Sequence, residues 1–145
     1  MTGVVTGAGP ADRAPVEEIR RLIATVYASF ADGDVHDIES CLDDAATIWD
    51  VFTTDLIVGR AQRDDFHARD RAQMRARGPL HLEVGTALVD VCGDVAWARY
   101  VVDFRYDPPG AAHGRVRVTD VLVRRGERWR IVHHHEGLAP SGPPS

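Results

Sequence analysis

The order of patterns along this chain predicts an α+β domain, with helices first and a curved antiparallel sheet after them. Three observations carry that reading. Near the N-terminus, Ile19, Leu22, Ile23, Val26 and Phe30 recur with helical spacing. From Leu80 onward the chain changes to β-rich runs separated by turn pairs such as Gly93-Asp94 and Gly126-Glu127. The 145 residues, 44% apolar and 27% charged, suffice for one core and leave no room for a second catalytic domain.

Residues 1–14 and 137–145 lack periodicity and read as flexible tails, which sets the domain at residues 15–136. The first helix is expected to begin at Pro15, with Glu17 and Glu18 where the helix dipole favours acids, and to stop at Ala31-Asp32-Gly33-Asp34. Asp34 is placed to cap a short second helix reaching Leu42. The runs from Ala46 to Phe52 and from Leu56 to Val58 are β-branched and apolar, as strands require. A third helix from Gln62 to Arg77 is stopped by Gly78-Pro79, and its Arg and Asp residues around Phe66 and Met74 read as a solvated surface. Strands follow from Leu80 to Cys92, Val95 to Tyr106, Arg115 to Arg125 and Arg128 to Glu136. On the second of these, Ala96, Ala98, Tyr100, Val102, Phe104 and Tyr106 share the face expected to line an interior. Trp97, Arg99, Asp103 and Arg105 take the other face, outside or at a dimer interface.

Charge excludes several partners. The net charge of −5 comes from 22 acids interleaved with 17 bases, all Arg, so no single-sign block marks a nucleic-acid or membrane surface. No apolar run approaches the roughly 18 residues of a bilayer span, and no basic leader precedes an apolar stretch, so a cytoplasmic location is expected. Cys41 and Cys92 lack metal-site spacing and read as reduced structural thiols. GxSxG, Walker and GxGxxG motifs are missing, which removes support for serine nucleophiles and nucleotide binding. His36, His67, His81 and His113 read as surface residues.

Chemistry concentrates in the last hairpin. A two-residue Gly126-Glu127 turn sets Leu122 against Ile131, Asp120 against His133 and Val118 against His135 on one apolar face, while His134 and Glu136 point the other way. A carboxylate beside an imidazole among aliphatic side chains is suited to proton transfer, and it is equally the form of a structural ion pair. With His135, the same pair also has the composition of a two-imidazole, one-carboxylate metal site.

The helix ending Ala31-Asp-Gly-Asp34, the segment Leu42-Asp-Asp-Ala-Ala-Thr-Ile-Trp49, then Gly59, Arg117-Val-Thr-Asp-Val-Leu-Val-Arg-Arg125 and Trp129-Arg-Ile-Val-His-His-His135 resemble the SnoaL-like branch of the nuclear transport factor 2-like superfamily over residues 16–136. The resemblance implies a cone-shaped fold, its sheet wrapped around the N-terminal helices to leave a deep pocket. It also implies a small-molecule cyclase, isomerase or dehydratase of polyketide-like metabolism, with no metal or organic cofactor, and a homodimer. The alternative is a non-catalytic ligand-binding or oligomerisation module, as in kinase association domains of the superfamily. Aligned on Gly33-Asp34, the superfamily's steroid isomerases place their base on Asp50 and their acid on Asp120, and set their tyrosine on Val26, one residue before Tyr27. The expected catalytic set is therefore Asp120, His133 and Asp50. The expected pocket lining is Trp49, Tyr27, Tyr100, Val102, Phe104, Val118, Leu122, Ile131 and His135.

Overall fold

A computed structural model describes residues 5–6, 13–108 and 110–140. Helix α1 spans Arg13–Asp32, two residues ahead of the expected Pro15 start, and buries Val16, Ile19, Ile23 and Tyr27 along one stripe. It ends where Gly33 turns with φ +74°, a conformation that suits glycine. The side chain of Asp34 then accepts from the backbone N–H of Asp37 at 3.1 Å and caps α2, Val35–Ser40.

Strand β2 covers Leu42–Trp49 and β3 covers Ile57–Val58. Helix α3, Gly59–Arg77, starts three residues earlier than expected and stops at Gly78, φ +92°, before Pro79. The expected strand from Leu80 to Cys92 is two strands, β4 at Leu80–Val84 and β5 at Leu88–Cys92. Both pair antiparallel with β6, Val95–Tyr106, and one surplus residue between them bends the edge. Gly85 sits at that bend, where its N–H donates to the Val101 carbonyl at 2.8 Å and a Cβ would stand 3.3 Å from the same oxygen. Strands β7, His113–Arg125, and β8, Arg128–Leu138, complete the long part of the sheet.

The order across the sheet is β1-β5-β6-β7-β8-β2-β3, with β4 on β6. Its first strand, β1, is Val5–Thr6, which pairs with β5 inside the stretch expected to be a tail. At the other end β8 runs two residues past Glu136; residues 1–4, 7–12 and 141–145 of the expected tails lie outside the described residues. The β2–β8 contact is parallel, so the sheet is mixed where all-antiparallel pairing was expected. Its inner face carries Ala96, Ala98, Val118, Leu122 and Ile131, all buried in one apolar core with Ile19 and Ile23 of α1. At about 25 cal/mol per Å² of apolar area, burial of this kind dominates the stability of a domain this size. No described helix is long and apolar enough to cross a membrane.

Candidate functional site

The floor of the inner face is set by a break in the last hairpin. Leu122 pairs with Ile131 as expected, but the register shifts there, so Val121 faces His133, Asp120 faces His134 and Val118 faces Glu136. Val132 is the extra residue of a β-bulge, and one inserted residue sends every following side chain to the opposite face. The expected Asp120–His133 pair is corrected accordingly. His134 and Glu136 point inward, while His133 and His135 lie on the outer face, where His133 Nδ1 is 2.7 Å from Thr47 Oγ1. The two-histidine metal arrangement dissolves for the same reason, and among the described residues no group of three or more His, Cys, Asp or Glu is placed to hold a metal.

Asp120 is fully buried at the centre of a polar chain. Its Oδ2 accepts the Tyr100 hydroxyl at 2.6 Å, and its Oδ1 lies 2.5 Å from His134 Nδ1. His134 Nε2 is 2.7 Å from Glu136 Oε1. Burial alone would lower the His134 pKa, but Asp120 and Glu136 outweigh it and hold the value well above the ordinary imidazole range. With a carboxylate at each nitrogen, His134 is an imidazolium donating twice, which leaves it no lone pair for service as a base.

Tyr27 stands edge-on to Tyr100, ring centroids 6.0 Å apart. Its hydroxyl is buried and makes no hydrogen bond within 3.5 Å, with the Tyr100 hydroxyl the polar group that acts on it. Burial, then Glu136 and Asp120, push its pKa well above the usual phenol value, so it remains an O–H donor at neutral pH. An orphaned buried donor costs on the order of 1–3 kcal/mol. A fold retaining one beside a cavity holds it ready for an acceptor.

That cavity has a volume of about 100 Å³ and a mainly apolar wall, to which Phe30, Phe66, Val102, Phe104 and Ile131 contribute with Tyr27 at the floor. Three carboxylates reach it: Asp50, Asp70 and Glu136. Asp50 follows β2, and its Oδ2 accepts the Phe52 N–H at 2.8 Å; burial first, then the charge of Glu136, raise its pKa. Asp70, on α3, is pushed up to about 6 by burial and by Asp50. Arg77 stands at the mouth, its guanidinium over the rings of Phe52 and Tyr106 at 5.4 and 5.6 Å. Asp50, Phe52, Phe66, Asp70 and Arg77 also border a wider polar vestibule outside.

Of the expected site residues, Asp50, Tyr27, Val102, Phe104 and Ile131 line the cavity. Asp120, Tyr100, Val118 and Leu122 lie buried behind its wall. Trp49 is a correction together with His133 and His135, because Ile48 pairs with His134 and turns inward, which leaves Trp49 opposite His135 on the outer face. His134, Glu136, Asp70, Phe66, His67 and Arg77 were missed. The Ile131-Val132 doublet interrupts strand alternation and is the signal that marks the bulge.

Helix α3 is also less solvated than its composition suggests. Arg63 is 1% exposed and His67, expected at the surface, is buried. Arg63 donates to both Glu39 carboxylate oxygens and to the carbonyls of Asp44 and Ala46, and His67 Nε2 lies 2.9 Å from Glu39 Oε2. This cluster ties α2, α3 and β2 together and so fixes the wall that carries Phe66 and Asp70.

The profile of the SnoaL-like domain matches residues 19–140. A search of curated proteins finds no match. Among solved structures, an NTF2-like protein with a cystatin-like fold from Novosphingobium aromaticivorans superposes with a TM-score of 0.76 at 24% identity, covering 91% of this chain and 89% of that one. A candidate ketosteroid isomerase from Shewanella frigidimarina gives 0.71 at 17% identity, covering 84% and 97%. The association domain of C. elegans CaMKII gives 0.72 at 21% identity, covering 89% and 99%. At these identities the structural likenesses establish the fold.

Proposed function

Because the chain belongs to the SnoaL-like domain family, we propose that it is a small-molecule acid–base enzyme, a cyclase, isomerase or dehydratase acting on an apolar, oxygenated, polyketide-like substrate. The observation that carries the reading is a buried phenol with no close hydrogen bond and three carboxylates meeting in one apolar cavity. Asp50 is the base: its raised pKa brings its proton affinity nearer to that of a carbon acid's working range, and it faces the cavity. Tyr27 donates to the oxygen on which charge develops. Asp70, with a pKa of about 6, relays the proton at the mouth. Asp120 and Tyr100 position His134, which in turn holds Glu136 against the cavity.

The test is solvent-deuterium exchange at the α-carbon of a panel of apolar ketones and enones, followed by NMR. Tyr27→Phe is expected to slow exchange by about 10²- to 10³-fold. The same variant keeps its thermal stability to within about 1 kcal/mol, because the O–H it removes makes no close hydrogen bond. A variant that melts early but exchanges at the wild-type rate would reverse the assignment.

The second reading is a non-catalytic ligand-binding or oligomerisation module, favoured by the likeness to a kinase association domain. Bound ketone with no exchange above the buffer rate would select it. Either reading accommodates a homodimer through the outer sheet face, where Leu88, Val95 and Val101 are exposed. Sedimentation is expected to give a dimer at micromolar concentration, and Val101→Arg a monomer with an unchanged fold.

A further inference from the structure

Resting on the proton-transfer reading of the same cavity, we propose that the substrate carries a cationic nitrogen, a protonated or quaternary amine joined to its apolar, oxygenated body. The balance of charge is the first argument. In and directly beneath the cavity, four carboxylates, Asp50, Asp70, Asp120 and Glu136, stand against two cations, His134 and Arg77. His134 is held between Asp120 and Glu136. Asp50 and Asp70 form no direct ion pair among the described residues and feel only the more distant charges of His134 and Arg77 respectively, though both sit against an apolar wall. A carboxylate in such surroundings is costly without a partner, and a ligand cation supplies one.

The wall itself is the second argument. Aromatic faces attract a cation that has left water, and quaternary ammonium groups are recognised in cages of this composition. Arg77 demonstrates that these rings accept one, because its guanidinium already lies over Phe52 and Tyr106 while it donates to Gln73 at 3.1 Å. Phe66 and Phe104 continue the aromatic wall inward from the mouth. The vestibule has the same sign as the cavity, with Asp50, Asp55, Asp65 and Asp70 against Arg69 and Arg77, so it attracts cations and repels anions on approach. The Tyr27 hydroxyl, nine-tenths buried and without a close hydrogen bond, answers the ligand's oxygen. An amino ketone fits both ends at once, with its nitrogen between Asp50 and Asp70 and its carbonyl at Tyr27.

Isothermal titration calorimetry at pH 7.5 with three rigid probes of one shape tests this: quinuclidinone methylated at nitrogen, a permanent cation; neutral bicyclooctanone; and bicyclooctane carboxylate, an anion. The cation is expected to bind about tenfold or more tightly than the neutral ketone, with the anion weakest. Asp70→Asn should bring the cation's affinity down to about that of the ketone. Equal binding of ketone and cation, or a preference for the anion, overturns the amine assignment while proton transfer stands. A cation preference that survives Asp70→Asn undiminished overturns the placement of the nitrogen, and failure of all three probes to bind overturns both readings.

Discussion

Asp120→Asn is expected to lose turnover and stability together. The carboxylate is fully buried, receives the Tyr100 hydroxyl and faces the imidazolium of His134, so the amide removes the charge that keeps His134 protonated and leaves Glu136 to balance it alone. Breaking one side of a buried ion pair costs on the order of 3–5 kcal/mol, which in a domain of this length is a drop of roughly 10 °C or more in Tm. The floor of the cavity moves with His134, and α-proton exchange should fall by about 10²-fold or more. Thermal melts and exchange rates on the same preparation check both parts. A normal Tm with normal exchange would mean that the chain from Tyr100 to Glu136 matters to neither.

The linkage with pH has a definite sign. Because the His134 pKa is raised in the folded state, the stability it confers is fully present below the unfolded imidazole value of about 6.5. It is lost as the pH rises through the folded value. Wild-type stability should therefore decline on the alkaline side, and Asp120→Asn should flatten that decline.

Glu39→Gln is the second large effect. Arg63 is almost fully enclosed, and Glu39 is the carboxylate that balances it, with three guanidinium contacts between 3.1 and 3.3 Å. An amide keeps one acceptor oxygen but removes the charge, leaving a buried guanidinium with no balancing anion, again on the order of 3–5 kcal/mol. Burial raises the Glu39 pKa, but Arg63 and His67 outweigh it and hold the group below the ordinary carboxylate range. The stability it confers is thus present above about 4.3 and lost as the pH falls through the folded value. Urea titrations at neutral and acid pH should show a deficit in the variant that shrinks towards acid. Replacing Arg63 by Met in the same chain should restore part of the loss, since a methionine beside the neutral Gln side chain needs no counterion.

The fold was legible because its signals are periodic. The α1 stripe, the Gly33-Asp34 junction, the Gly78-Pro79 stop and the long alternating strand from Val95 to Tyr106 all state their geometry locally. Asp50 and Tyr27 were found from resemblance and do face the cavity. The histidine was misplaced because turn geometry extrapolates register only as far as the first bulge, and Val132 stands six residues beyond the Gly126 turn. Arg63, His67 and Asp70 were hidden because a helix rich in Arg and Asp carries no stripe strong enough to reveal which charges are enclosed.

The bulge at Val132 works like a reading frame. Three histidines in succession mean that an imidazole meets Asp120 in either frame, His134 with Val132 bulged out of the ladder and His133 with Val132 paired to Val121. What changes is the neighbour one step deeper, which is Glu136 in the present frame and His135 in the other. Pairing Val132 with Val121 would therefore recast an acidic pocket floor as a basic one without substituting a single side chain, whereas deleting Val132 would keep Asp120 opposite His134. Histidine ring shifts followed by NMR across a pH titration would report the exchange of roles. One sequence thus holds two arrangements of its pocket floor separated by a single β-bulge.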